Sequence, residues 1–190
     1  MLRLSTQAGV LSKSKGLSYI LEAMRIVQRK GYDISLTIAG KYTPAQKYQF
    51  SIEYSDLSLN MMGRVSFEEL KNHYQESDIG VIASLQEQAS YVALEMAMFG
   101  LPIITTAVDG LDETFTEGLN ALKVDTHFSK VLGLGVDVEM MAACLIELID
   151  NMQLRKSLGK NARQLYEEKL KLDHMMEKTI EMYKRVGGFA

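Results

Sequence analysis

Along the chain, short apolar runs of period two alternate with longer segments whose apolar positions recur every three or four residues. Leu2, Leu4 and Ala8 alternate with Arg3, Ser5 and Gln7, the pattern of a half-buried or edge strand over residues 2–8. Leu17, Ile20, Leu21, Met24 and Val27 follow at helical spacing, with Arg25, Arg29 and Lys30 on the opposite face and Gly31 as the stop. Residues 34–39, rich in β-branched side chains, predict a second strand closed by Gly40. This strand–helix–strand order predicts a parallel sheet with right-handed crossovers, a three-layer α/β sandwich.

Beyond Thr43-Pro44 the pattern predicts a mainly polar helix over 45–54 and a short strand over 59–62. Ser66 followed by Glu69 reads as a capping box, in which hydroxyl and carboxylate each satisfy an orphan N–H of a helix running to Gln75. Residues 78–83 read as a strand, 108–116 as a loop and 121–124 as a last short strand; from about 137 to 186 the chain is helical throughout. Most of the twelve methionines fall at core spacing, which predicts packing rather than a ligand surface.

The rest is organised around residues 84–105, which read as a strand exit, a polar turn carrying Glu87, a helix carrying Glu95, a Gly100-Leu-Pro102 stop and a buried strand. A carboxylate in the turn has no packing role. Glu95 interrupts an apolar helix, between Val92, Ala93, Leu94 and Met96, Ala97, and so needs a partner or a ligand hydroxyl. Both acids are expected to face the crevice beyond the carboxyl ends of the strands, where open α/β sheets bind ligands. A helix opened at about Ser90 leaves the N–H groups of 90–93 free to form an anion site, the dipole adding about 0.3–2 kcal/mol per charge. Lys13 or Lys15, on the turn over 9–16, would supply the cation.

With 190 residues, 47% hydrophobic and 24% charged, the chain can bury a core in one domain plus a helical extension, which excludes disorder. A net charge of −3 excludes the basic footprint of a nucleic-acid binder. The single cysteine, Cys144, lies on an apolar helical face and reads as a small buried hydrophobe, in keeping with a reducing, cytosolic setting. No apolar run reaches the ~18 residues of a membrane span, and no signal-peptide pattern opens the chain. Because strand character begins almost at Met1, an upstream part is expected. His73, His127 and His174 are scattered and read as surface or satisfied histidines, and no Cys/His cluster has metal-ligand spacing. No Ser/His/Asp arrangement or phosphate loop occurs, and Gly133-Leu-Gly135 follows no clear strand.

An ordered series of landmarks then points to a family. These are Gly9 with Lys15-Gly16, Ile38-Ala-Gly40, Gly63-Arg64-Val65, Ser66-Phe-Glu-Glu69, Tyr74 with Ser77-Asp78, Glu87 to Glu95 spaced as E-x7-E, Gly100-Leu-Pro102-Ile, Gly110 with Glu113, and Gly118-Leu-Asn120-Ala-Leu. Together they resemble the C-terminal, donor-binding domain of retaining glycosyltransferases of family 4 (group 1), which have the two-domain GT-B fold with parallel, Rossmann-like sheets.

The resemblance implies a nucleoside-diphosphate sugar as substrate, with no cofactor and no bound metal. It implies that Glu95 holds the ribose hydroxyls and that Glu87 lies beside the donor sugar. The backbone amides from Gln88 through Ala89, Ser90 and Tyr91 to Val92 would hold the sugar and distal phosphate. Lys15, with the Gly9 loop and Lys13, would neutralise the diphosphate, and Gly63, Arg64 and Val65 would border the base. Val10 departs from the family, which carries Arg there; Lys13 or Arg3 is the expected substitute. A glycan or lipid-linked acceptor would bind a preceding domain, onto which the helical extension over 153–190 would cross back. That leaves Met175, Met176 and Tyr183 as an apolar patch open to self-association. The full-length protein would act in polysaccharide or glycolipid synthesis, in the cytoplasm or at the inner face of the membrane. The fragment alone would transfer nothing. A sugar-nucleotide epimerase of the same fold and a non-catalytic nucleotide-sugar binding module remain the alternatives.

Overall fold

The computed structural model describes residues 1–10, 13–129 and 133–187, with main chain only at 7–10, 13, 129 and 187. Six strands, β1 (Leu2–Val10), β2 (Ile34–Lys41), β3 (Ser58–Gly63), β4 (Ile79–Ile82), β5 (Ile103–Thr106) and β6 (Leu122–Val124), form one parallel sheet ordered β3-β2-β1-β4-β5-β6. Between and after them run α1 (Leu17–Arg29), α2 (Pro44–Glu53), α3 (Phe67–Glu76), α4 (Tyr91–Met98), α5 (Asp109–Thr114), α6 (Val138–Asp150), α7 (Met152–Leu165) and α8 (Leu172–Gly187).

Alternate residues of the buried strands divide between two cores, as the period of two demands. Val81 and Ile104 join α1 and α6 through Ile20, Met24, Met141 and Leu145. Ile82 and Ile103 join α3, α4 and α5 through Leu70, Met96 and Leu111. Helices therefore cover both faces, and the fold is a three-layer α/β/α sandwich. The capping box at Ser66 and Glu69 is complete, and Thr43 with Gln46 forms a second one that opens α2 with Pro44 at its first turn.

Several expectations are corrected. Strand β1 lies in the middle of the sheet, not at an edge. Leu4, Ser5 and Thr6 are all buried, and polar Ser5 is tolerated there because its hydroxyl lies 3.0 Å from His73 Nε2. The segment read as a loop over 108–116 contains α5, whose six residues are too few to show a helical period. Its opening Val108 offers no side-chain cap, though Asp109 and Asp112 suit the positive end. An antiparallel hairpin, β7 (Thr126–Ser129) with β8 (Gly133–Val136), was hidden by the two glycines of Gly133-Leu-Gly135, which lies within β8.

Only three of the twelve methionines, Met24, Met96 and Met141, are buried, while Met1, Met152, Met175, Met176 and Met182 are exposed. Cys144 is buried, and burial pushes its thiol up to about 11. Within the segment 153–190, α7 packs on this domain. Leu158 and Ala162 are buried, Gly159 lies against the main chain of Gly100, and the Arg163 guanidinium donates to the Met98 carbonyl. Beyond a π-turn at Tyr166–Leu170, α8 leaves Leu172, Met175, Met176, Ile180 and Tyr183 at least half exposed. No helix among the described residues is long and apolar enough to cross a membrane.

Candidate functional site

Strands β1 and β4 are neighbours, but α1 packs on one face of the sheet and α4 on the other, so a crevice opens at the carboxyl ends between them. The turn after β1 crosses to the end of β4. Gly16 has φ 68°, and a Cβ there would fall 1.8 Å from the Ala83 carbonyl oxygen, so only glycine fits. Two residues earlier on that turn, Ser14 O accepts from Leu85 N at 2.8 Å.

This joint puts Lys15 Nζ 2.5 Å from Glu87 Oε2, which also accepts from Ser84 Oγ at 3.1 Å. The pair is half covered: the Lys15 side chain is 34% exposed and that of Glu87 13%. On the other side of the acid, Gly110 N donates to Glu87 O at 3.0 Å, and Glu87 N donates to Asp109 Oδ2 at 3.3 Å. Asp109 takes φ 39°, an uncommon conformation for a residue with a Cβ. The Glu87 turn is thus held by main chain on both flanks.

Ser90 caps α4 and accepts from Ala93 N at 3.3 Å, so the amide of Ala93 is not free as expected. The amides of Gln88, Ala89, Ser90, Tyr91 and Val92 donate to no such cap among the described residues. Gln88, Ala89 and Tyr91 are exposed, while Ser90 and Val92 are partly covered. A concavity of about 330 Å³ lined by Gln86, Gln88, Asp109, Gly110 and Glu113 adjoins this helix start. A roomier cleft of about 580 Å³ lies away from the pair, between α5, α7 and α8.

Glu95 does not touch Lys15 or Glu87. Its Oε2 accepts from the Tyr74 hydroxyl at 3.1 Å. Burial raises the carboxyl above the usual glutamate range, and the Tyr74 hydrogen bond opposes that shift. Val65 packs at the edge of the second core and Arg64 is exposed, both at the entry to α3. Arg3 cannot stand in for the absent arginine. It sits at the amino end of β1, where its Nη1 donates to Glu76 at 3.2 Å and its N–H to Asp78 at 2.8 Å. Only the main chain of Gly9, Val10 and Lys13 is described. Among the described residues, no three His, Cys, Asp or Glu form a metal-ligand set.

Sequence reasoning gave no role to Ser84, Asp109 or Tyr74. The only signal for Ser84 was polarity directly after an apolar strand, and for Asp109 polarity three residues beyond one; Tyr74 had its helical spacing from Leu70, which marks packing rather than a polar contact.

Comparison with known proteins agrees with this architecture. An uncharacterized glycosyltransferase of Methanocaldococcus jannaschii is 28% identical over 182 residues, covering 93% of this chain and 43% of that protein. A capsular polysaccharide biosynthesis glycosyltransferase of Staphylococcus aureus, CapM, is 26% identical over 92% of this chain and 44% of its own length. The chain therefore spans under half the length of these relatives. Among solved structures, the C-terminal domain of a group 1 family glycosyl transferase from Francisella tularensis superposes with a TM-score of 0.74 at 22% identity, over 90% of this chain and 87% of that one. Anabaena HepE, solved with UDP and glucose, gives a TM-score of 0.79 at 13% identity over 97% of this chain and 48% of its own. The family model of the glycosyl transferases group 1 matches residues 3–165, and the chain belongs to that family.

Proposed function

We propose that this domain is the donor-binding half of a retaining glycosyltransferase, of family 4 type, that takes its sugar from a nucleoside-diphosphate donor. The observation that carries the reading is the ion pair of Lys15 and Glu87 beside the uncapped amides at the start of α4, in the crevice between β1 and β4. Lys15 and those amides take up the charge that grows on the departing diphosphate, the role a divalent cation fills elsewhere. Glu87 accepts from hydroxyls of the donor sugar, and Glu95 accepts from the ribose. A further domain, in keeping with the greater length of the relatives, binds the acceptor. The CapM relative supports a glycan or surface-polysaccharide acceptor.

Calorimetric titration with UDP, GDP and ADP tests the reading. At least one should bind, and Glu95→Ala should weaken it about tenfold, the loss of one charged hydrogen-bond acceptor. Failure of all three to bind the native chain removes the proposal. One observation favours a second reading, a non-catalytic binding module: Val10 stands where the family carries Arg, and Arg3 is held at the far end of β1. Transfer assays on the full-length protein with and without Val10→Arg separate enzyme from module.

A further inference from the structure

The geometry points to Tyr74 as the positioning residue for Glu95: its buried hydroxyl fixes one carboxylate oxygen so that the other is presented to the ribose. This rests on the donor-site reading above and assigns a role within it. Tyr74 is 1% exposed on α3, with its ring stacked on Phe99 at 5.6 Å, and it reaches across to α4 to donate to Glu95 Oε2 at 3.1 Å. The ring could fill this volume as phenylalanine; the hydroxyl is what aims at the acid.

The Glu95 carboxylate has no second hydrogen bond among the described residues, so Oε1 is available to a ligand hydroxyl. A glutamate in the second turn of a helix can swing through several rotamers, and a rotamer-rich side chain that must be ordered on binding costs affinity. A neutral donor at 3.1 Å restricts that freedom before the ligand arrives. Burial pushes the Tyr74 phenol further up from its ordinary value, so it stays protonated and remains a donor. Tyr74 and the entry to α3 at Val65 also belong to the same packed cluster as Val92 at the start of α4, which ties Glu95 to the α3–α4 side of the crevice.

The test compares the native chain, Tyr74→Phe, Glu95→Ala and the double variant, titrated with UDP, GDP and ADP and with the 2′,3′-dideoxy form of whichever binds best. The native chain should prefer the ribose form about tenfold, a charged hydrogen bond's worth. Tyr74→Phe should reduce that preference to about twofold while leaving affinity for the dideoxy form unchanged. In the Glu95→Ala background, Tyr74→Phe should change nothing further, because the hydroxyl then has no acid to hold. That background also removes the buried carboxylate whose partner is lost, so it serves if the single variant folds poorly.

Preserved ribose preference in Tyr74→Phe, or an equal loss for ribose and dideoxy forms, overturns the positioning role and leaves the donor site standing. A native chain that binds without preferring ribose overturns the assignment of Glu95 and this inference together. A native chain that binds none of the three overturns the donor-site reading itself.

Discussion

Replacing Glu87 by glutamine should tighten binding of a bare nucleoside diphosphate, although Glu87 belongs to the proposed site. Lys15 Nζ is committed to Glu87 Oε2 at 2.5 Å, and a diphosphate has to draw the ammonium away from that partner. With side chains 34% and 13% exposed, the pair lies between a solvated surface bridge and a buried one, and its surrender costs about 1 kcal/mol. Glutamine keeps the shape and can still accept from Ser84, but it holds the ammonium less strongly. Release of that cost predicts about fivefold tighter binding of UDP or its best-bound counterpart. The corresponding sugar nucleotide should gain little, because under the proposed donor-site reading the sugar loses its charged acceptor. Paired calorimetric titrations of native, Glu87→Gln and Lys15→Gln chains read this directly. If Glu87→Gln weakens the diphosphate as much as Lys15→Gln does, the two side chains do not compete in this way and the reasoning fails.

Three further outcomes follow from particular contacts. Because burial raises the Glu95 carboxyl, acidification should abolish ribose binding at a higher pH than an exposed glutamate would give, and a pH series of titrations with Glu95→Gln as the flat control checks this. The stability effect has the opposite slope: a raised carboxyl contributes stability below its unfolded value that is lost as pH rises through the folded one. At neutral pH Glu95→Gln should therefore melt higher than the native chain. Gly16→Ala should cost at least about 2 kcal/mol in chemical denaturation, since it combines a left-handed φ of 68° with a Cβ 1.8 Å from Ala83 O; a change under about 0.5 kcal/mol would show that the turn is not pinned to β4.

What could be read from residues alone was whatever repeats. The α1 stripe, the strands over 34–39 and 103–106 and the Ser66–Glu69 cap all declare themselves by period or by a local pair of side chains. Short α5 and the glycine-diluted β7–β8 hairpin have too few positions to set a period. Spacing also failed for the methionines, because a 3.6-residue repeat shows that α8 has an apolar stripe and says nothing about what faces it. In the site, Lys15 and Glu87 were legible as chemistry, but the neighbours that hold them are not. Asp109 and Tyr74 act through contacts set by tertiary approach, across 22 positions from Glu87 to Asp109 and 21 from Tyr74 to Glu95, while Ser84 meets Glu87 within the turn itself, where no repeat marks it.

The joints around Glu87, Leu85 to Ser14, Gly16 to Ala83 and Gly110 to Glu87, are all made by main chain. Apart from the glycines that these joints require at Gly16 and Gly110, the crevice floor is therefore a chassis that does not depend on the side chains it carries. Gln86, Gln88 and Ala89 project from that chassis into solvent. If the proposed donor site is right, exchanging these three positions should re-tune which cargo is favoured while the melting temperature stays where it was.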